Sequence, residues 1–280
     1  MLSFWSGTTV EAIYGIVSNA SSGRKDLQDQ GTEKLVLELL PVLNSCMRAK
    51  HGADTVLACY AIVIMMVNQA KVGDKVLDGL MDAVIAAHDE TSLQSCLACL
   101  AIIAMERSKA QIPAKVSKKL LKVPQLVQKL TALSHQCQVE RLVLGCALGA
   151  LSDSSDENRG IFSELIASGL LTTSRVQMVL SALVQLLRDS APGSQEHGEV
   201  LQLATKMTES KELQIIMQEV AKQNNVDLES LGLTVGQTFD IAEIPEEDSD
   251  EEMLDADEDA TDKPLIQVPE ITSKSFFDAG

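Results

Sequence analysis

Aromatic residues are scarce in this chain. They make up 3% of its 280 residues, with one Trp, two Tyr and five Phe. β-Sandwiches and β-barrels draw more heavily on aromatic and β-branched side chains, so the scarcity argues against an all-β fold. Leu, Ala, Val and Ile instead supply most of the 45% hydrophobic content, which is typical of closely packed helices. The composition therefore favours an all-α protein with a sizeable core.

The chain also lacks a long hydrophobic run. The longest, Val56 to Val67, is too short to span a bilayer and is followed by Asn68 and Gln69. The first residues, MLSFWSGTTVEA, have no basic region followed by a long apolar stretch, so they do not resemble a secretory signal. We therefore expect a soluble protein.

The cysteines do not form a pattern that predicts disulfides. Each lies within an apolar helical pattern, where a thiol behaves as a small hydrophobic side chain. Disulfides are rare in reducing compartments. We expect reduced, buried, intracellular thiols at Cys46, Cys59, Cys96, Cys99, Cys137 and Cys146.

Positive charge is in short supply, but the excess of negative charge is local. The formal net charge is −17, and thirteen acids with no Lys or Arg lie between Asp240 and Asp262. Residues 1–239 contain 25 acids and 21 bases, a net charge of about −4. The chain as a whole therefore lacks the excess of positive charge that is typical of nucleic-acid-binding proteins. A local basic patch stays open as an alternative.

Helical patterns follow one another from about Thr32 to Asn224. The first helix of each successive pair is predicted to start at intervals of roughly 40 residues, which is the period of HEAT and armadillo repeats. Second helices such as Val56–Val67 and Val139–Leu151 are apolar nearly all round, as helices covered on several sides must be. The sequence predicts an all-α, HEAT/armadillo-like solenoid over residues 1–231. The competing interpretation is one helical bundle without repeats. The five predicted starts lie near Glu33, Asp74, Ala114, Glu157 and Gln195.

The composition changes at Gly232. Residues 232–280 contain three prolines, the acidic run and few positions that continue a helical stripe. Dense like charge without a face to bury favours disorder. We expect 232–280 to be an acidic, mostly disordered linker or tail. Ser249, which Asp250 follows, suits an acid-directed kinase, and a plain solvating linker is the alternative.

The residues with reactive side chains do not form a catalytic or metal-binding motif. Cys96-x-x-Cys99 lies mid-helix without a neighbouring strand, so two core cysteines are favoured over a redox or zinc site. His135-x-Cys137 has no matching second pair. Neither a nucleophile elbow nor a glycine-rich phosphate loop is present. We predict a protein that is not an enzyme, with no catalytic, cofactor-binding or metal-binding residues and no cofactor.

Two other groups of residues offer surface or packing features. Gly145 and Gly149 in LGCALGAL resemble a membrane GxxxG motif, but in a short soluble run close helix packing is favoured. The basic residues form modest clusters that could meet phosphate, and an ordinary solvated helix face is the alternative. These clusters are Arg24, Lys25, Arg48 and Lys50, and then Lys115, Lys118, Lys119 and Lys122.

Several stretches together resemble a known family. LSFWSGTTVEAIYGIVSNASSGRKDLQDQ, LLPVLNSCM, VLDGLMDAVIAAH and NVDLESL are similar to parts of a fungal nucleolar family, the very large HEAT-repeat subunit associated with the U3 small nucleolar RNA. The resemblance covers most of the predicted solenoid and implies an internal piece of the N-terminal third of a longer protein. The acidic run is not matched to the family.

The resemblance also implies a function. The family belongs to the small-subunit processome, in the early subcomplex that assembles on the leading spacer of pre-rRNA. It implies a non-catalytic scaffold for pre-rRNA processing in the nucleus and nucleolus. The implied partners are other processome subunits, with direct contact to pre-rRNA or U3 RNA left open, and no membrane or small-molecule substrate. The alternative is an importin-like transport adaptor that binds protein cargo.

Overall fold

Twelve α-helices form the part of the chain that the structure describes. The structure is a computed structural model, and it describes residues 2–19, 25–48, 52–69, 72–152 and 156–233. No strand occurs within these ranges. The helices are α1 (Leu2–Asn19), α2 (Lys25–Arg48), α3 (Ala53–Gln69), α4 (Asp74–Ala87), α5 (Leu93–Glu106), α6 (Ala114–Leu120), α7 (Leu126–Ser134), α8 (Glu140–Leu151), α9 (Asp156–Ala167), α10 (Thr173–Asp189), α11 (Gln195–Thr208) and α12 (Lys211–Gln223).

The helices pack as two layers that run through successive repeats. One layer is the series α1, α3, α5, α8, α10 and α12, in which each helix contacts the next. The other contains α2, α4, α6 with α7, α9 and α11. Amphipathic pairs that cannot bury their own apolar faces stack in this way, each on its neighbours. The predicted all-α helical-repeat solenoid is confirmed.

Four of the five predicted first helices start at or within one residue of the expected position. They are α4, α6, α9 and α11, which begin at Asp74, Ala114, Asp156 and Gln195. The remaining one, α2, begins at Lys25 instead of near Glu33 and continues through Pro41. Pro41 is exposed, so it lies on the solvent-facing side of this helix.

Helix α1 was not predicted, because its sequence has no clear apolar stripe. Thr, Ser and Gly, which have low helix propensity, occupy much of the segment. The helix packs against α3, and Ile13 is buried in the core. Tertiary packing therefore stabilises a helix that local propensity alone does not favour.

The first helix of the third repeat is divided in two. Helix α6 ends at Leu120, and α7 begins at Leu126. Pro124 lies between them, and Gln125 adopts a left-handed conformation with φ 56°. A proline lacks the N–H that a continuous helix needs and restricts the residue before it, so it separates α6 from α7.

The central helices are covered on several sides, as predicted for the apolar second helices. Helix α5 contacts α3, α4, α7 and α8, and its buried residues include Cys96, Leu97, Leu100 and Ile103. The predicted segments Val56–Val67 and Val139–Leu151 fall within or overlap α3 and α8. Among the described helices, none is long and apolar enough to cross a membrane.

Two features expected from the sequence lie outside the described residues. The acidic linker or tail predicted for 232–280 is one, since the described part ends at Leu233. Ser249, the predicted phosphorylation site, is the other. The domain boundary at 231/232 therefore stays a prediction.

Candidate functional site

The Cys96–Cys99 pair lies in the interior of α5. Both residues are fully buried, and Cys96 Sγ lies 3.7 Å from the Val84 carbonyl oxygen. Burial raises the pKa of the Cys96 thiol to about 12 and raises the pKa of the Cys99 thiol well above its usual value. A reactive thiolate needs exposure and a lowered pKa, so these two cysteines behave as core side chains.

The other cysteines only partly follow the prediction. Cys59 and Cys146 are buried, and all six are free thiols. Cys46 and Cys137 are only partly buried, and Cys137 lies in the loop between α7 and α8 instead of in a helix. The prediction of full burial was therefore wrong for Cys46 and Cys137. The prediction of a helical position was wrong for Cys137, because the preceding helix ends at Ser134.

The histidines lie at or next to helix ends wherever the structure describes them. His88 and His135 follow the last residues of α4 and α7. His88 Nδ1 lies 2.6 Å from the Ile85 carbonyl oxygen, and a carbonyl can only accept, so Nδ1 carries the proton. His197 Nδ1 lies 2.9 Å from Ser190 Oγ. In the described part of the chain, no three His, Cys, Asp or Glu side chains group as metal ligands.

Three aspartates on α4 link it to the following repeat. Asp74, Asp78 and Asp82 recur every four residues, so they share one face of the helix. The Asp74 carboxylate accepts hydrogen bonds from the Ser108 hydroxyl and from the Ser108 backbone N–H, the latter at 3.0 Å. These bonds hold the pKa of Asp74 below its usual value.

The other two aspartates of this face form ion pairs. Asp78 Oδ1 lies 2.6 Å from Nη2 of Arg107, whose side chain is only 2% exposed. Arg107 Nη1 also donates to the Gln111 carbonyl at 2.8 Å. Asp82 Oδ1 lies 2.9 Å from Lys119 Nζ, with both side chains more than 40% exposed. The i, i+4, i+8 spacing of the aspartates is visible in the sequence, whereas their partners are not.

Polar contacts elsewhere also join residues about one repeat apart. Glu140 of α8 accepts hydrogen bonds from the backbone N–H and the hydroxyl of Thr172, at 3.0 and 2.7 Å. Arg159 of α9 forms an ion pair with Glu199 of α11. These partners are 32 and 40 residues apart in sequence. Each contact therefore fixes one repeat against its neighbour.

The Arg159–Glu199 pair borders a cleft between α9 and α11. The cleft has a volume of about 620 Å³ and is also lined by Ser163, Gln202 and Lys206. No sequence motif pointed to it, because its residues come from helices one repeat apart. Leu201 and Leu203 also line it, so its walls are partly polar and partly apolar.

The second lysine cluster is exposed on the layer that contains α2, α4 and α6. Lys115, Lys118, Lys119 and Lys122 all face solvent. Lys119 and Lys115 lower the pKa of Asp82, the hydrogen bond from Lys119 having the larger effect, and Arg48 at the end of α2 contributes less. The structure thus joins Arg48 to this cluster. Arg24 and Lys50 lie outside the described residues.

Gly145 and Gly149 permit close packing of α8 against α6 and against the residues just before α6, as predicted. A Cβ atom at Gly149 would lie 1.9 Å from Ser117 Oγ, and one at Gly145 would lie 2.5 Å from Ile112 Cγ2. Atoms at these separations overlap, so the two positions need glycine for the observed packing. The two glycines thus serve a helix–helix interface.

Stacked helix pairs, joined by contacts one repeat apart, define this chain as a helical-repeat protein. The family described as U3 small nucleolar RNA-associated protein 10 matches residues 35–150. The protein of that name from Phaeosphaeria nodorum is 53% identical over 99% of this chain and 16% of its own length. The chain belongs to this family, which confirms the resemblance seen in the sequence.

More distant relatives with the same name match nearly as much of the chain. The Neosartorya fischeri protein is 28% identical over 99% of this chain and 16% of its own length. The Aspergillus niger protein is 30% identical over 82% of this chain and 13% of its own length. The chain thus spans about a sixth of the length of these relatives.

Proposed function

We propose that this chain is a segment of a non-catalytic scaffold in nucleolar ribosome biogenesis. The scaffold acts in the small-subunit processome, in pre-rRNA processing and in early assembly on the leading spacer of pre-rRNA. The observation that carries the proposal is the match, over 99% of the chain, to a protein named for its association with U3 small nucleolar RNA. That name favours the processome over the importin-like alternative.

The architecture supports a role in holding other macromolecules. A two-layer array exposes long helical faces to partners, and extended surfaces of this kind are how solenoid proteins bind. The ion pairs and hydrogen bonds between repeats keep those faces in a set relation to each other. The expected partners are processome subunits, together with RNA.

The proposal is tested with the full-length protein in its fungal host. We expect a tagged protein lacking α3 to α12 to recover less U3 RNA and fewer processome subunits than the intact protein. We also expect small-subunit pre-rRNA precursors to accumulate, which northern blotting measures. Normal precursors, with recovery of a small transport GTPase and diverse cargo by the intact protein, would instead establish the importin-like alternative.

Two further experiments test the finer parts of the proposal. For a non-catalytic scaffold, the double variant Cys96→Ala, Cys99→Ala should support normal pre-rRNA processing as long as it folds. A processing defect in a folded variant would contradict that part. For the proposed boundary near residue 232, limited proteolysis followed by mass spectrometry should release a resistant fragment that ends close to it. Early cleavage within α3 to α12 would contradict the boundary.

A further inference from the structure

The third repeat carries an unusual concentration of positive charge. From Arg107 to Val139 the sequence contains seven Lys or Arg residues and no Asp or Glu. The rest of residues 1–239 holds 25 acids and 14 bases, a net charge of about −11. Positive charge is thus gathered in the segment that forms α6 and α7.

Part of this charge is matched by α4. Buried Arg107 pairs with Asp78, and exposed Lys119 pairs with Asp82. Helix α4 supplies three carboxylates, whereas residues 107–122 supply six cations and no carboxylate. Cations therefore outnumber carboxylates over these two stretches of the chain.

Three of the lysines are arranged along one side of α6 and of the two residues that follow it. Lys115, Lys118 and Lys122 are spaced by three and four residues, and all three are exposed. Leu121 continues the right-handed helical conformation beyond Leu120, so Lys122 stays in line with the other two. We call Lys115, Lys118 and Lys122 the lysine face.

The chemistry of the lysine face fits a phosphodiester backbone. Lysine ammonium groups bind phosphate as point charges, and contacts to phosphate carry no sequence information. Proteins that bind single strands usually add aromatic side chains on which the bases stack, but residues 107–139 contain no Phe, Tyr or Trp. The surface therefore favours double-stranded RNA, whose backbone is regular and whose bases are already stacked.

We propose that the lysine face binds the phosphate backbone of double-stranded RNA without sequence preference. This inference rests on the proposed function, to which it adds a contact surface and a class of RNA. The binding is electrostatic, so its affinity falls steeply as salt concentration rises.

Fluorescence anisotropy with a labelled 20-base-pair RNA duplex tests the lysine face, using the 280-residue chain between 50 and 200 mM salt. The test variant is Lys115→Gln, Lys118→Gln, Lys122→Gln. Loss of three phosphate contacts should weaken binding on the order of 100-fold at 0.1 M salt, and should reduce the slope of log K against log salt by about 3. A second duplex of different sequence should bind equally well.

A matched control removes the same charge elsewhere. Lys206, Lys211 and Lys222 are exposed on α11 and α12, and their replacement by Gln should leave both affinity and slope near those of the unmodified chain. Circular dichroism and thermal unfolding establish that both triple variants are folded. Equal losses in the two variants would overturn the assignment, because they would show that only net charge matters.

Two other results would also overturn it. One is no binding of the duplex by the unmodified chain at 50 mM salt. The other is displacement of RNA by polyglutamate as effectively as by unlabelled duplex at equal charge, which would indicate an acidic protein partner. Neither result affects recovery of U3 RNA by the full-length protein, so failure here is distinguishable from failure of the scaffold proposal.

Discussion

The hydroxyl of Tyr60 on α3 donates a hydrogen bond to the carbonyl oxygen of Val84 on α4, at 3.0 Å. Val84 lies in the last turn of α4, where carbonyl groups have no partner within the helix. Tyr60 is fully buried, and burial raises its pKa above the usual range, so the hydroxyl stays protonated. The Tyr60 side chain thus provides a hydrogen-bond donor for a carbonyl group at the end of a helix in the next repeat.

Replacing Tyr60 by Phe should lower the free energy of unfolding by about 1–2 kcal/mol, because the Val84 carbonyl loses its hydroxyl donor in the core. Chemical denaturation of the 280-residue chain measures the change. Tyr14→Phe is the matched control, since Tyr14 is 57% exposed, and it should have almost no effect. Equal effects of the two substitutions would argue against this role for Tyr60.

Gly149→Ala should destabilise the interface of α6 and α8 by about 1–3 kcal/mol, because the new methyl group would overlap Ser117. Adding Ser117→Gly should recover part of the loss by removing the overlapping atoms. Gly79→Ala is the control, since nothing lies within 4 Å of a Cβ atom there, and it should be neutral or stabilise the chain by up to about 1 kcal/mol. Thermal unfolding distinguishes these cases, and a fully stable Gly149→Ala variant would contradict the packing described.

The two ion pairs on α4 should differ in strength. Double-mutant cycles with alanine should give a coupling energy of about 2 kcal/mol for Asp78 with buried Arg107, since a desolvated charge depends on its partner. For Asp82 with Lys119, both exposed, the coupling should be about 0.2–1 kcal/mol. Asp78 and Asp82 are one turn apart on the same helix, so the two cycles compare ion pairs in similar backbone positions. A stronger exposed pair would count against the prediction, as would an Asp78–Arg107 coupling that falls to zero in high salt.

Asp89, just before α5, should titrate at unusually low pH. Its carboxylate accepts hydrogen bonds from the Ser92 hydroxyl, the Thr91 hydroxyl and the Ser92 backbone N–H, and these lower its pKa to about 2. A lowered pKa means that its contribution to stability is present above about pH 4 and is lost as the pH falls towards 2. Carbon-detected NMR titration measures the pKa directly.

Two variants complete this test. Ser92→Ala should move the pKa of Asp89 back towards its usual range, because it removes the largest single cause of the shift. Asp89→Asn should remove part of the loss of stability between pH 4 and pH 2. A pKa of Asp89 near 4 in the unmodified chain would contradict the geometry of this turn.

Much of the fold could be predicted because helix periodicity is local. The apolar stripes of α4, α9 and α11 placed their starts at or within one residue of those observed. The glycine pair of α8 was also recognised as a packing feature. Helix α1 was missed, because its residues favour a helix only once Ile13 packs into the core. Cys137 was misplaced, since the sequence alone did not show that α7 ends before it.

The surfaces were harder to predict than the helices. The lysines of α6 were noticed in the sequence, but Arg48 joins them only because α2, α4 and α6 stack side by side. Arg107 was not singled out, and its burial depends on Asp78, 29 positions earlier in the chain. No local pattern reports whether a charged residue will be buried.

By itself, the sequence determined the helical class, the 40-residue period and the separation of the acidic run from a nearly neutral repeat region, because these follow from composition and from spacing over a few residues. Tertiary structure decided which carboxylates meet which cations, which thiols are buried and where glycine is required. Those outcomes depend on side chains brought together from successive repeats, as in the contact between Gly149 and Ser117. Stacking brings together residues some 24 to 43 positions apart in the sequence, so these contacts form only in the packed array.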